Sequence, residues 1–478
     1  MTPPAPVADA ASARRLRALF AEAGFSAERV QNLLGTGEQL VARSTERPVY
    51  ERRLGGDLLS TLIKLFVLGL RPPRTALDAP QLELLFAARL VEDKGEKVAG
   101  TVRVIPHEEL LIASDFAGGD DAEHVAAVHR PSQTLARLTV RHEVGRALDV
   151  GTGNGIQALL LSRHARHVVA TDLNERALEF ARFNVLLNGV ENVELRRGSY
   201  LEPVAGERFG LVVANPPYVI SPESRYLFRD SGLTGDTVSE QLVRGVPSSL
   251  DEGGFATVMI SWAQLEDDPT ERPRTWLAGS GCDAYLIHTR TEDPLSTAAA
   301  WNRDLAARTD EYARAIDEWT EYYAREGIPA IAYGAIVLRR RSAAENWFEA
   351  TRLPQRGIGP ADAFLRRVFE TLDAFGEGPL EERTVRVADD ARLEQVLRLD
   401  GGWTQERLTI RLTDGLPFDA DLDPYSSALV RRLDGSRPLR RAIEEAAAEL
   451  ELDSQELAPG AAALVREMAA RGFLSVTA

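Results

Sequence analysis

The spacing of apolar positions changes three times along the chain. Leu16, Leu19 and Phe20 share one face of a helix that begins near Ala13 and stops at Gly24, and Val30, Leu33 and Leu34 repeat the pattern in a second helix. Residues 58–70 predict a third helix, ended by Pro72-Pro73, and residues 81–90 a fourth. Strict alternation then takes over at 101–105 and 110–112, the mark of a hairpin.

From about Ser132, short β-branched runs alternate with helical stretches: 147–150, 168–171, 193–195, 211–214 and 255–261, completed by 284–288 and 331–339. This alternation predicts an α/β fold, a doubly wound, mostly parallel, seven-stranded sheet with helices on both faces. Before the last strand an insertion, about 297–327, sets Tyr312, Ile316, Trp319 and Tyr323 on one helical face and stops at Gly327 and Pro329. Such a stripe is packing more often than a binding box, with a pocket wall as the second reading. Beyond Arg341, 364–375 reads as a helix and 384–387 and 408–412 as strands of one small sheet around Gly401-Gly402. Ser436 and Pro438 open a helix carrying Leu439, Ile443 and Leu450, and 461–471 forms another before Phe473-Leu474-Ser475-Val476. The expected division is a disordered tail at 1–12, an N-terminal helical, winged-helix-like domain at 13–130, the sheet domain at 131–341, and a C-terminal α+β domain at 342–478 ending in a winged-helix-like module.

Composition narrows the class without naming a chemistry. At 478 residues the chain exceeds one ordinary core, and 44% hydrophobic content is that of a soluble globular protein. The 56 basic and 72 acidic side chains give a net charge of −16, a field that repels phosphate backbones and makes nucleic acid the less favoured partner. Cys282 is the only cysteine, which excludes an intrachain disulfide and a multi-cysteine metal site. The seven histidines show no His-Glu-x-x-His spacing, so no metal is expected; His124, His129, His164 and His167 read as structural. No signal peptide is visible, and 58–70 is short and broken by Lys64, so a cytoplasmic protein without a membrane partner is expected.

Three loops carry the candidate chemistry. Ala147-Leu148-Asp149-Val150-Gly151-Thr152-Gly153-Asn154-Gly155, Val168-Val169-Ala170-Thr171-Asp172 and Val212-Val213-Ala214-Asn215-Pro216-Pro217-Tyr218 each end an apolar strand, so each belongs at the carboxyl edge of a parallel sheet. The glycines let backbone approach a ligand closely, and Asp172 follows Gly151 at the usual distance of about 20 residues from a glycine loop to an acid that accepts from a ribose diol. This describes a nucleoside site. A dinucleotide fingerprint would need glycine where Ile156 stands.

Asp149-x-Gly151-x-Gly153-x-Gly155 resembles the first motif of class I S-adenosylmethionine-dependent methyltransferases, and Asn215-Pro216-Pro217-Tyr218 resembles the signature of those that alkylate a planar nitrogen. Over 130–262 the likeness is greatest to the release-factor glutamine N-methyltransferase group. It includes Arg130-Pro131-Ser132-Gln133-Thr134-Leu135, Gly198-Ser199-Tyr200-Leu201-Glu202-Pro203, Arg229-Asp230-Ser231-Gly232-Leu233-Thr234-Gly235-Asp236 and Asp251-Glu252-Gly253-Gly254-Phe255. The resemblance implies S-adenosyl-L-methionine as cofactor, with Asp149, Gly151 and Gly153 around its methionine part, Asp172 on the ribose, and Leu173, Ser199 and Asn215 completing the contacts. Ser199 stands where the group carries an aspartate. Asn215 and Pro216 would accept the two N–H groups of the reacting nitrogen while Tyr218 stacks on its plane. The acceptor would be a protein, a peptide or a small molecule; an exocyclic base amine in RNA or DNA is the alternative, and a non-catalytic winged-helix adaptor the alternative of another class. The resemblance also implies an antiparallel last strand, and the terminal modules suggest recognition of a large acceptor or a homodimer.

Overall fold

The computed structural model describes residues 3–36, 46–116, 122–222, 233–353 and 357–477. At its centre lies an eight-stranded sheet formed by β1 (Val144–Val150), β2 (Ala165–Asp172), β3 (Val193–Arg197), β4 (Phe209–Ala214), β5 (Leu250–Ala263), β6 (Cys282–Glu292), β7 (Ile331–Arg340) and β8 (Phe348–Arg352). The spatial order is β8-β6-β7-β5-β4-β1-β2-β3, and all pairings are parallel except those of β7 with β5 and β6. The sheet thus has the expected seven strands plus one. β8 adds in parallel to β6 from Phe348 opposite Ala284 to Arg352 opposite His288; it is only five residues long, with Phe348 and Ala350 its only apolar positions, too short a run to mark a strand.

Both faces of the central strands are buried, with neighbours alternating between two cores. Ala147, Val168, Ala170, Leu211 and Val213 point to one, and Leu148, Val169, Val212 and Ala214 to the other. The order in which strands are added reverses about β1, which lies between β2 and β4, so the connections leaving the carboxyl ends of β1 and β4 part to opposite sides and leave a crevice.

The N-terminal region packs helices Ala10–Glu22, Ala27–Leu34, Arg47–Arg53, Leu58–Leu62 and Ala79–Ala87 against the sheet-domain helix Glu175–Asn188, whose Phe180, Phe183 and Leu187 enter its core. The helix expected from residue 58 continues as a π-helical turn over Ile63–Val67. The expected hairpin is present as Arg103–His107 paired with Leu110–Ser114, and a second one precedes it, Val91–Lys94 with Lys97–Gly100. The disordered tail expected at 1–12 requires correction over its described residues, 3–12. Ala5 is buried, the Val7 N–H bonds the Ala88 carbonyl at 3.1 Å, and Asp9 caps the helix that starts at Ala10.

The aromatic insertion forms two helices, Pro294–Trp301 and Thr309–Arg325. Trp319 and Tyr323 are fully buried, which makes the stripe a core, as its first reading held.

The C-terminal region lies on one face of the sheet and completes its core. Helix Asp362–Gly376 places Phe369 edge-on to Phe255 of β5, with ring centroids 5.2 Å apart, and the Tyr285 hydroxyl of β6 donates to the Ala470 carbonyl at 2.7 Å. Arg339 of β7 bridges Asp283 and Asp373. Phe364, Val368, Leu429, Ile443 and Phe473 share one apolar cluster with Leu211, Met259 and Val337. The strands expected to form one sheet divide into two. β9 (Thr384–Val387) lies between β13 (Asp434–Pro438) and β14 (Leu474–Val476), whereas β10 (Ala391–Leu399), β11 (Trp403–Leu412) and β12 (Asp419–Asp421) form a separate sheet. The cause is the tight turn at Gly401, φ +65°, which commits 391–412 to a hairpin of its own.

Candidate active site

The turn after β1 is built from three left-handed glycines, Gly151, Gly153 and Gly155, at φ +71°, +56° and +84°. Their roles differ. A Cβ on Gly155 would come within 3.2 Å of Ala181, so this glycine lets the turn sit against helix Glu175–Asn188; a Cβ on Gly151 or Gly153 would meet no atom within 4 Å and would project into open space. Gly151 and Thr152 both donate to the Thr171 carbonyl at 2.9 Å, which binds the turn to the end of β2.

Asp172, at that strand end, accepts from the Gly153 N–H at 2.8 Å through Oδ2 and from the Asn174 N–H at 2.9 Å through Oδ1. An ionised carboxylate has about four acceptor positions, so two remain for a diol. Burial raises its pKa above the ordinary carboxylate value. The Gly198 N–H donates to the Asp172 carbonyl at 3.0 Å, bringing the Ser199 turn alongside, and Leu173 is 56% exposed at the same edge.

Asp149 occupies a different position from the one the motif suggested. Its carboxylate is buried beneath the turn, where Oδ2 accepts from Thr152 Oγ1 at 2.6 Å and from the Ala158 N–H at 3.0 Å. Burial pushes its pKa up to about 7, helped by the charge of Asp172 and opposed by the two hydrogen bonds. It braces the glycine turn from below and does not line the cavity above.

That cavity holds about 410 Å³, within the range of small-molecule sites. Gly151, Gly153, Asp172, Leu173, Ser199, Asn215, Pro216 and Tyr218 all border it. Every site residue expected from sequence is therefore brought together except Asp149. The Pro216 carbonyl accepts from the Tyr218 N–H at 2.8 Å, which curls the loop and leaves one lone pair free. The Ser261 hydroxyl of β5 donates to the Tyr218 carbonyl. Burial raises the Tyr218 phenol, keeping it neutral.

Several wall residues carry no local signal. Trp301 borders the cavity from the first insertion helix, its indole N–H donating to the Tyr333 hydroxyl at 3.1 Å. The second insertion helix holds the chain that follows the Asn-Pro-Pro-Tyr loop: Tyr323 donates to the Ile220 carbonyl at 2.7 Å, and Tyr322 accepts from the Gly235 N–H at 2.8 Å. Of the motif expected at 229–236, residues 229–232 lie outside the described residues. On the opposite side, Asn154 donates to the Ala126 carbonyl, Asn174 to the Glu123 carbonyl and Gln157 to the Ser132 carbonyl, fastening 123–132 across the glycine turn. His124 and His129 come to the cavity rim on this strap, with His129 Nδ1 2.9 Å from the Ser132 hydroxyl. Among the described residues no cluster of His, Cys, Asp and Glu could hold a metal ion, and no helix is long and apolar enough to cross a membrane.

The open glycine cradle, the spare acceptor positions of Asp172 and the exposed apolar Leu173 fit a nucleoside cofactor carrying a charged tail. Residues 126–264 match the family described as Methyltransferase small domain, and residues 363–476 match Domain of unknown function (DUF7782). The chain is 34% identical over 144 residues to a release factor glutamine methyltransferase of Xylella fastidiosa, covering 28% of this chain and 52% of that protein. It is 31% identical over 189 residues to a ribosomal protein uL3 glutamine methyltransferase of Bradyrhizobium diazoefficiens, covering 36% and 56%. A release factor glutamine methyltransferase of Geobacter sulfurreducens is 33% identical over 186 residues, covering 35% and 65%. The chain spans about half the length of the first curated relatives it matches.

Proposed function

We propose that this chain transfers a methyl group from S-adenosyl-L-methionine to a planar nitrogen, the side-chain amide of a protein acceptor. One observation carries the reading: the Asn215-Pro216-Pro217-Tyr218 loop opens into the same cavity as Gly151, Gly153 and Asp172. The matched relatives are named for glutamine methylation in a release factor and a ribosomal protein, and an acceptor of that kind would meet the enzyme in the cytoplasm.

S-adenosyl-L-methionine supplies an electrophilic methyl group. The chain's own residues do the rest by positioning. Gly151 and Gly153 offer backbone to the methionine part, Asp172 accepts from the ribose, and Leu173 and Ser199 flank the base. An amide nitrogen has its lone pair perpendicular to the amide plane, delocalised into the carbonyl π system. Asn215 Oδ1 and the Pro216 carbonyl accept its two N–H groups, which fixes the plane, while Tyr218 covers one face. The loop is stiffened by two prolines and tied to β5 through Ser261, so these acceptors are preorganised. No base need act before transfer, because the proton leaves the alkylated nitrogen to water.

Mass spectrometry of cell extract treated with the protein and isotopically labelled cofactor tests the reading. Label on a side-chain amide of one or a few proteins is expected. Label confined to nucleic acid, or to oxygen or carbon acceptors, would overturn it.

A further inference from the structure

The β10–β11 hairpin projects from the C-terminal domain with little covering it. β12 pairs only with Thr409–Arg411 of β11, and no described strand pairs with the outer edge of β10. Alternation along β10 places Leu393, Leu397 and Leu399 on one face, where Leu399 opposite Trp403 is 66% exposed and Trp403 70%. Arg392, Glu394 and Arg398 lie on the other. A long edge strand with an exposed apolar face is an arrangement that monomeric proteins avoid.

The charges along that edge are antisymmetric. In Arg392-Leu393-Glu394-Gln395-Val396-Leu397-Arg398-Leu399-Asp400, each charge has its opposite at the same distance on the other side of Val396. We propose that β10 pairs antiparallel with β10 of a second copy about a two-fold axis through Val396. Glu394 then faces Arg398 of the other copy and Arg392 faces Asp400, each contact made twice, while Leu393 meets Leu399 across the apolar face. Neighbouring registers that keep the apolar faces together fail. Centring on Gln395 sets Arg392 against Arg398, and centring on Leu397 sets Glu394 against Asp400. Within one chain Arg398 makes an exposed pair with Asp400 at 3.8 Å, Glu394 a half-exposed pair with Arg411 at 2.9 Å, and Arg392 donates to the Asp389 and Ala391 carbonyls, surface contacts of small worth that a second copy can share. The interface is independent of the methyl-transfer reading, since none of these residues borders the cavity.

Sedimentation velocity on the full chain tests the pairing. A concentration-dependent dimer is expected by roughly 100 μM. Glu394→Arg and Arg398→Glu, each replacing two opposite-charge contacts by like-charge ones, should each raise the dimer Kd by roughly tenfold or more. The double variant E394R/R398E should restore it. An equimolar mixture of the two single variants should also recover the dimer, because each contact between positions 394 and 398 of the mixed pair then joins one arginine to one glutamate. A wild-type monomer throughout that range, single variants that dimerise like wild type, or a mixture that stays monomeric would overturn the proposal. A wild-type monomer whose edge instead binds purified acceptor protein would also overturn it, and would assign the edge to an acceptor strand.

Discussion

The side-chain amide of Asn184 exchanges two hydrogen bonds with the backbone of Ala113, accepting from its N–H at 2.8 Å and donating to its carbonyl at 2.9 Å. Asn188, one helical turn on, does the same with Leu111, at 2.9 and 2.8 Å. The match is geometric, since four helical residues advance about 6 Å and two strand residues about 6.6 Å. Two amides on helix Glu175–Asn188 thus serve as a strand for the edge of the N-terminal hairpin. Asn184 also donates to the Asn154 carbonyl at 2.8 Å, so one buried side chain joins that hairpin to the glycine turn.

Asn184→Ala should therefore leave three buried backbone groups without a partner and lower stability by roughly 3 kcal/mol. It should also weaken cofactor binding, because the carbonyl of Asn154 loses its tether. Urea denaturation and calorimetric titration read the two effects. A stability change within about 0.5 kcal/mol, the range of ordinary surface substitutions, would contradict the role.

Asp149 predicts a pH dependence. Its folded pKa of about 7 lies above the ordinary value of 3.8, so the folded chain keeps a proton that the unfolded chain has lost. The stabilising contribution is full below about pH 3.8 and is lost as pH rises through 7, at up to about 1.4 kcal/mol per unit. Asp149→Asn, which retains an acceptor for Thr152 and Ala158, removes that slope. The stability of the wild-type chain relative to the variant should fall between pH 4 and 7 in denaturation curves. A difference independent of pH would show that Asp149 is ionised in the folded chain throughout.

Asp172→Ala should weaken S-adenosyl-L-methionine binding by roughly 1.5 to 3 kcal/mol, the scale of hydrogen bonds to a charged group. The variant also releases the Gly153 and Asn174 N–H groups. Asp172→Asn keeps acceptor oxygen and should lose less. Unchanged affinity of a folded Ala variant in calorimetry would remove Asp172 from the cofactor site.

Asn215 is proposed to act on the acceptor, so its effect belongs in turnover. By analogy with loss of one preorganised polar group, Asn215→Ala should slow single-turnover transfer by roughly 10² to 10³-fold while cofactor affinity changes far less. Asn215→Asp, which retains an acceptor oxygen, should keep more activity. Near-native rates for both variants would mean that the loop does not orient the reacting atom.

A chain ending after Arg341 should fail to fold. It would expose Phe255, Tyr285 and Val337 on the sheet face and strand Arg339 without Asp373. Phe369→Ala is the milder probe, with an expected loss of about 3 to 5 kcal/mol. A truncated chain that melts cooperatively and binds cofactor would show that the C-terminal region is not part of the sheet's core.

The sequence by itself determined the parts governed by local rules. Alternating and helical periods gave seven strands and their crossovers, and the glycine spacing with Asn215-Pro216-Pro217-Tyr218 put three loops at one sheet edge, because strand ends and turns depend on residues only a few positions apart. Tertiary structure alone decided the rest. Asp149 sits two residues from a cavity glycine, yet its carboxylate turns toward Ala158 because helix packing buries it there. Trp301 reaches the cavity while Trp319 and Tyr323, the stripe visible in sequence, fill the core behind it. Asn184 meets Ala113 across 71 residues, and Phe369 meets Phe255 across a longer stretch. Such contacts follow from which buried faces come together, and no local period encodes that choice.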